Sequence, residues 1–208
     1  MTTSEHPAPP PSPKAYHHGS LRAALLEAAW AIVAEDGVEA LTMRACARRA
    51  GVSHAAPIHH FENLAGLQAE LAAVGYDRLT EAMVEAQRSD AGERDVLKAA
   101  GIGYVQFAVT FPEHFRLMSR ISVTDTRSDR LRDARNAAWL HLVDALRVVY
   151  REANGTEPRE DSLAARTALA WSCVHGYAGL WVDGSVGKFD LPDADRVLTQ
   201  LRLALMTP

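Results

Sequence analysis

Apolar positions along this chain recur with helical rather than strand spacing. Between Ser20 and Asp36, Leu21, Leu25, Ala28, Ala29 and Ile32 follow one another at steps of four, three, one and three, which gathers them on one helical stripe. Gly37 supplies the stop. Thr42 is suited to cap a short helix from Met43 to Ala50, and Gly51 ends it. Ser53 is placed to cap a third helix from His54, with Pro57 in the first turn, where a missing N–H costs least. Asn63 can cap a fourth, running through Leu67, Leu71, Val74, Leu79 and Met83 toward Arg88.

After the turn cluster "SDAGERD", helical pattern resumes from Val96 to Thr110, with Gly101 and Gly103 leaving room beside it. Pro112 then opens a short helix carrying Phe115, Leu117 and Met118. From Arg127 to Glu152, Trp139, Val143, Leu146 and Tyr150 share one side. "ANGTEPRED" reads as a loop, residues 161–182 as the least charged helix, and residues 193–206 as the last. No period-two run flanked by turn residues interrupts this, and no repeat recurs at fixed spacing. The pattern predicts an all-α protein of about nine helices.

Composition narrows the class. Of the 208 residues 48% are hydrophobic and 23% charged, which suits a globular protein, and the net charge of -4 excludes a uniformly basic nucleic-acid coat. The longest uncharged runs, Ala99 to Pro112 and Thr167 to Val182, fall short of the roughly 20 apolar residues of a membrane span. Residues 1–15 hold five prolines and read as a disordered tail without the marks of a secretory signal. Cys46 and Cys173 form neither a disulfide framework nor a zinc pattern, and a cytoplasmic setting is expected.

"TMRACARRAGVSHAAPIHHF" has the layout of a helix-turn-helix, with Ala47 small enough for close helix contact and Gly51 at the turn. A capped amphipathic helix before it and a long helix after it complete an order that resembles the TetR family of transcriptional repressors. The likeness starts at "YHHGSLRAALLEAAW", continues through "EDGVEALTMRACARRAGVSHAAPIHHF", and extends to "WSCVHG", which looks like the W-x-x-x-H-G signature of one C-terminal subtype.

The resemblance implies a three-helix DNA-binding domain at 16–62 and a helical effector-binding and dimerisation domain at 63–208. It implies a homodimer on palindromic double-stranded operator DNA, released by a small, largely apolar effector. Carried onto this chain, Thr42 and Arg44 would meet phosphate or a base edge. Ser53, His54, Ala55, Ala56, Ile58, His59 and His60 would lie in the groove, and Asn63 and Leu64 would start a phosphate-binding helix N-terminus. The chain departs from the family, which commonly has Tyr at Ile58, Arg or another polar group at His59, and Lys at Leu64.

Residues 1–66 carry five cations (Lys14, Arg22, Arg44, Arg48, Arg49) against six acids (Glu5, Glu27, Glu35, Asp36, Glu39, Glu62). Nonspecific DNA affinity should therefore be weak and its salt slope shallow. Six of the nine histidines lie in the same stretch. Phosphate nearby favours their charged form, so operator affinity is expected to strengthen as pH falls from about 8 to about 6.

Aromatic and sulfur side chains gather in the middle segments, and Tyr104, Phe107, Phe111, Phe115, Met118, Trp139, Trp171 and His175 are expected around an effector pocket. His114, His141 and Gln106 are further polar candidates for it. The helix from Leu163 to Trp181 has two apolar faces about 100° apart, one suited to the protomer core and one to a twin. Leu163, Thr167, Ala170, Val174 and Trp181, with Val197, Leu198, Leu201 and Leu205, are the expected dimer face. Adjacent histidines diverge on a helix and chelate poorly, so no metal is expected. No nucleophile elbow, phosphate loop or H-E-x-x-H is present, so neither an enzyme nor a cofactor is expected. The alternative is an all-helical ligand-binding dimer with weak or lost DNA binding.

Overall fold

The computed structural model describes residues 18–89, 95–121, 128–188 and 192–206. The tail expected at 1–15, most of "SDAGERD" and Arg127 lie outside them. Among the described residues the regular structure is ten α-helices and a single 3-10 turn, Val38–Ala40, with no strand. In order they are α1 (His18–Asp36), α2 (Met43–Ala50), α3 (Ala56–Phe61), α4 (Leu64–Ser89), α5 (Val96–Thr110), α6 (Pro112–Arg120), α7 (Asp129–Asn154), α8 (Glu160–Val182), α9 (Ser185–Lys188) and α10 (Ala194–Met206). The single turn of α9 escapes the sequence pattern because four residues are too few to show a period.

The first three helices close around Leu25, Ala29, Val33, Leu41, Cys46 and Phe61, all buried. Each leucine or phenylalanine so placed contributes about 1.5–3 kcal/mol. Cys46 Sγ donates to the Leu25 carbonyl at 3.2 Å, and burial pushes its pKa up to about 11, so the thiol is a packing group. Thr42 Oγ1 accepts from the Ala45 N–H at 3.0 Å, as its capping position requires. Gly51 then ends α2 in the left-handed region at φ 68°, where other residues are strained.

Two local expectations are corrected. Ser53 does not cap α3 with its side chain: its carbonyl accepts from Ala56 N–H, and the helix opens at Ala56, leaving His54 in the turn. Pro57 stands in the first turn of that shorter helix. Gly103, in turn, does not leave space. A Cβ there would stand 2.8 Å from the Met83 Cα, so this glycine lets α5 lie directly on α4.

The remaining helices form the larger unit, α4 packing on α5 and α7, and α8 on α5 and α7. Trp30 of α1 joins the two units: the His114 ring of α6 stacks on it at 3.6 Å, and the Arg78 guanidinium of α4 lies 3.8 Å from its ring centroid. His114 Nε2–H donates to the Trp30 carbonyl at 3.0 Å, while its Nδ1 is buried without a partner. Burial lowers the imidazole pKa to about 4, so it is neutral near pH 7. No described helix is long and apolar enough to cross a membrane.

Candidate functional site

The outer surface of α2 and α3 is built by what the inner surface buries. Ala47, Ala56, Pro57 and Phe61 point inward, which leaves Thr42, Arg44, Arg48, Ser53, His54, Ala55, Ile58 and His59 exposed. Ala56, expected in the groove, is thus a core residue, and Leu64 packs partly buried against the same core. His60 is half-buried, its ring 6.2 Å from that of Phe61. Ile58 is 53% exposed, an apolar side chain standing among polar ones. Asn63 Oδ1 accepts from Gly66 N–H at 3.0 Å and so caps α4.

The arginines are not equivalent. Arg49 makes two hydrogen bonds to Glu35, at 2.7 and 2.5 Å, and these hold the Glu35 carboxyl below the usual carboxylate range. Arg22 pairs with Glu70 at 2.5 Å and lies over the Phe61 ring. Among the described residues of α1 to α3, that leaves Arg44 and Arg48 as the arginines without a carboxylate partner.

A cavity of about 720 Å³ opens inside the larger unit, between α4, α5, α6, α7, α8 and α10. Of the residues expected around an effector, Tyr104, Phe115, Met118, Trp139, Trp171 and His175 line it. Phe107 and Phe111 do not: their rings lie 5.5 Å apart, and Phe111 packs edge-on against Trp30 at 5.4 Å, in the joint between the units. His114 belongs to that joint as well, Gln106 is exposed, and His141 stands outside the lining. Tyr104 Oη and His175 Nδ1 share a hydrogen bond of 2.8 Å. Burial moves the phenol pKa up and the imidazole pKa down, so both are neutral near pH 7.

Residues not expected at the cavity from the sequence also face it: Tyr76, Leu79 and Met83 from α4, Arg135 and Asn136 from α7, and Lys98 from α5. Arg135 stands one helical turn before Trp139, a spacing that could have drawn it in. Leu198 and Leu201, expected to meet a twin, line the cavity instead.

The expected dimer face is also corrected. Leu163, Thr167, Ala170 and Val174 are all buried within one protomer, as are Leu198 and Leu205, so they close its core. Val197 is half-buried on the same core, and Trp181 alone of the set is 39% exposed. The outward stripe of α8 is Leu169, Ser172, Gly176 and Leu180, and a Cβ on Gly176 would meet nothing within 4 Å. Among the described residues no group of three or more His, Cys, Asp or Glu could hold a metal ion.

The family model for the tetracyclin repressor-like C-terminal domain matches residues 97–205, and that for bacterial regulatory proteins of the tetR family matches residues 25–71. The chain belongs to the TetR family. TetR members are transcription regulators with a helix-turn-helix, and this chain is one by its domains. A protein of unknown function from Rhodococcus sp. RHA1 is 31% identical, with a TM-score of 0.73 over 93% of this chain and 97% of that one. A TetR family transcription regulator from Marinobacter aquaeolei VT8 shares the fold at 17% identity, with a TM-score of 0.63 over 89% of this chain and 95% of that one. So does the multidrug binding protein EbrR, solved with imidazole, at 16% identity and a TM-score of 0.59, covering 90% and 95%. No match was found among curated proteins.

Proposed function

We propose that this TetR protein is a one-component repressor of the cytoplasm, binding palindromic operator DNA as a homodimer and leaving it when a small effector fills the cavity. The observation that carries this reading is α4. Its N-terminus, capped by Asn63, stands directly after α3, and farther along the same helix Tyr76, Leu79 and Met83 line the cavity. A ligand touching those three side chains therefore acts on the element that carries the DNA-facing surface. Coupling of about 1–3 kcal/mol suffices for regulation.

In this reading Ser53, His54, Ala55, Ile58 and His59 face the groove, and Thr42, Arg44 and Arg48 face phosphate. The partner-facing surface is the outward stripe of α8, where Ser172 and Gly176 allow close approach between Leu169 and Leu180. The reading of a ligand-binding regulator is offered by analogy with the multidrug binding protein EbrR, which shares the fold. The test is a mobility shift at low salt with the DNA flanking the gene, repeated with extracts of the native cell fraction that holds small molecules. A shift reversed by the extract is expected.

A second reading, a ligand-binding dimer with weak or lost DNA affinity, is favoured by the pairing of Arg22 and Arg49 with carboxylates. Absence of a shift with every fragment at low salt would select it.

A further inference from the structure

Among the described residues three cations line the cavity, Lys98, Arg135 and Arg202, and no aspartate or glutamate does. Two are compensated from outside the lining. Lys98 Nζ lies 2.8 Å from Asp195, and Arg202 Nε lies 2.7 Å from Asp95, which also caps α5 through the Lys98 N–H. Arg135 has no carboxylate partner among the described residues. It stands beside Tyr76, close enough for its charge to oppose the upward effect of burial on that phenol, with Asn136 next to it on α7.

A guanidinium at the edge of an apolar chamber is a planar set of donors matched to a carboxylate, and the match strengthens as water is excluded. The rest of the wall, Leu79, Met83, Leu97, Val174 and Leu198, offers apolar surface for a hydrocarbon body. The volume holds about two dozen groups the size of water. One uncompensated cation balances one negative charge, which favours a carboxylate over a phosphate monoester of about -1.5 to -2.

We infer that the cavity selects a monocarboxylate with an extended apolar or aromatic body, its carboxylate at Arg135, Tyr76 and Asn136. This rests on the reading of the cavity as the effector site and names the class of molecule it takes.

The probes are dodecanoate and naphthalene-2-carboxylate, each beside the neutral alcohol of the same skeleton, and dodecyltrimethylammonium as the cationic control. All are used below their micelle concentrations with the full-length protein. Trp139 and Trp171, which line the cavity, report binding through their fluorescence, and calorimetry gives the affinities. At least one carboxylate is expected to bind about tenfold tighter than its alcohol, and which skeleton wins separates a fatty-acid-like from an aromatic effector. Arg135→Gln, at an exposed position without an ion pair, should keep the helical circular dichroism and lose the preference while still binding the alcohols.

If the alcohols bind as well as the carboxylates, if the cationic control binds tightest, or if Arg135→Gln keeps the preference, the charge assignment is overturned and the cavity reading stands. If none of the five probes binds, the cavity reading falls with it.

Discussion

The surface proposed to face DNA and the cavity wall handle positive charge in the same way and put it to use in opposite surroundings. On α1 and α2, Arg22 and Arg49 are held by Glu70 and Glu35, and Arg44 and Arg48 are left open. Around the cavity, Lys98 and Arg202 are held by Asp195 and Asp95, and Arg135 is left open. Counting cations in the sequence thus overstates what either surface offers a ligand. The difference is solvent. Arg44 and Arg48 work in water, where salt screens them, whereas Arg135 borders an apolar chamber where one charge has more leverage. Operator affinity, which draws on several exposed charges, should therefore fall more steeply with salt than effector affinity, which draws on the single exposed Arg135.

The most drastic way to break the comparison is to separate the two copies of the proposed dimer. Gly176→Leu places a bulky side chain on the outward stripe of α8, where the protomer offers no neighbour. It is expected to turn the proposed dimer into a folded monomer by light scattering and to abolish operator binding, while binding of the preferred carboxylate probe persists. Next comes Arg44→Ala, expected to weaken operator binding by about tenfold or more, the scale of one charged hydrogen bond. Fluorescence anisotropy with labelled operator checks it, and the loss should exceed that from any change at Leu64.

The joint between the two surfaces answers to pH. His114 is neutral in the folded protein down to about pH 4, while in the unfolded chain it takes a proton near 6.5. The unfolded state therefore binds the extra proton between those values, and stability is full above pH 6.5 and is lost as pH falls toward 4, by up to about 3 kcal/mol. His114→Phe keeps a ring against Trp30 and removes the titration. Its denaturation midpoint should fall less steeply over that window than that of the wild type.

The smallest effect sharpens the account of charge: Glu35→Gln frees Arg49. Operator affinity should rise a few-fold, with the log-log salt slope steeper by at most about 0.9, the value for one added phosphate contact. An unchanged slope would mean that Arg49 points away from the DNA even when released.

Much of the architecture was legible because each long helix carries its own stripe, as α4 does from Leu67 to Met83. The helix-turn-helix was legible because Thr42 and Gly51 mark the ends of α2 by local chemistry. What the sequence could not decide was which of two apolar faces of α8 turns inward. Leu163, Thr167, Ala170 and Val174 are no more apolar than the neighbouring stripe, and only packing on α5, α7 and α10 settles the choice. Ion pairs were equally out of reach, since Arg22 meets Glu70 across two intervening helices. The aromatic residues of the cavity were found by type, but Phe107 and Phe111, of the same type, serve the joint instead. Arg135 was passed over because a charged residue on a long helix ordinarily faces water, as this one does, and only the packing of the helices shows that it also borders the cavity.

The 26 residues of α4 also set a mechanical ratio. From Met83, at the cavity, to Asn63, beside α3, the helix spans about 30 Å at 1.5 Å per residue. A rotation of about 5° around the Met83 end would swing Asn63 by about 2.6 Å. Applied to both copies in opposite senses, the gap between the two α3 helices would change by about 5 Å against a half-site spacing of about 34 Å. The close approach of α5 to α4 at Gly103 would set the fulcrum of this lever beside the cavity, so that in the proposed mechanism a small displacement there would be multiplied at the DNA.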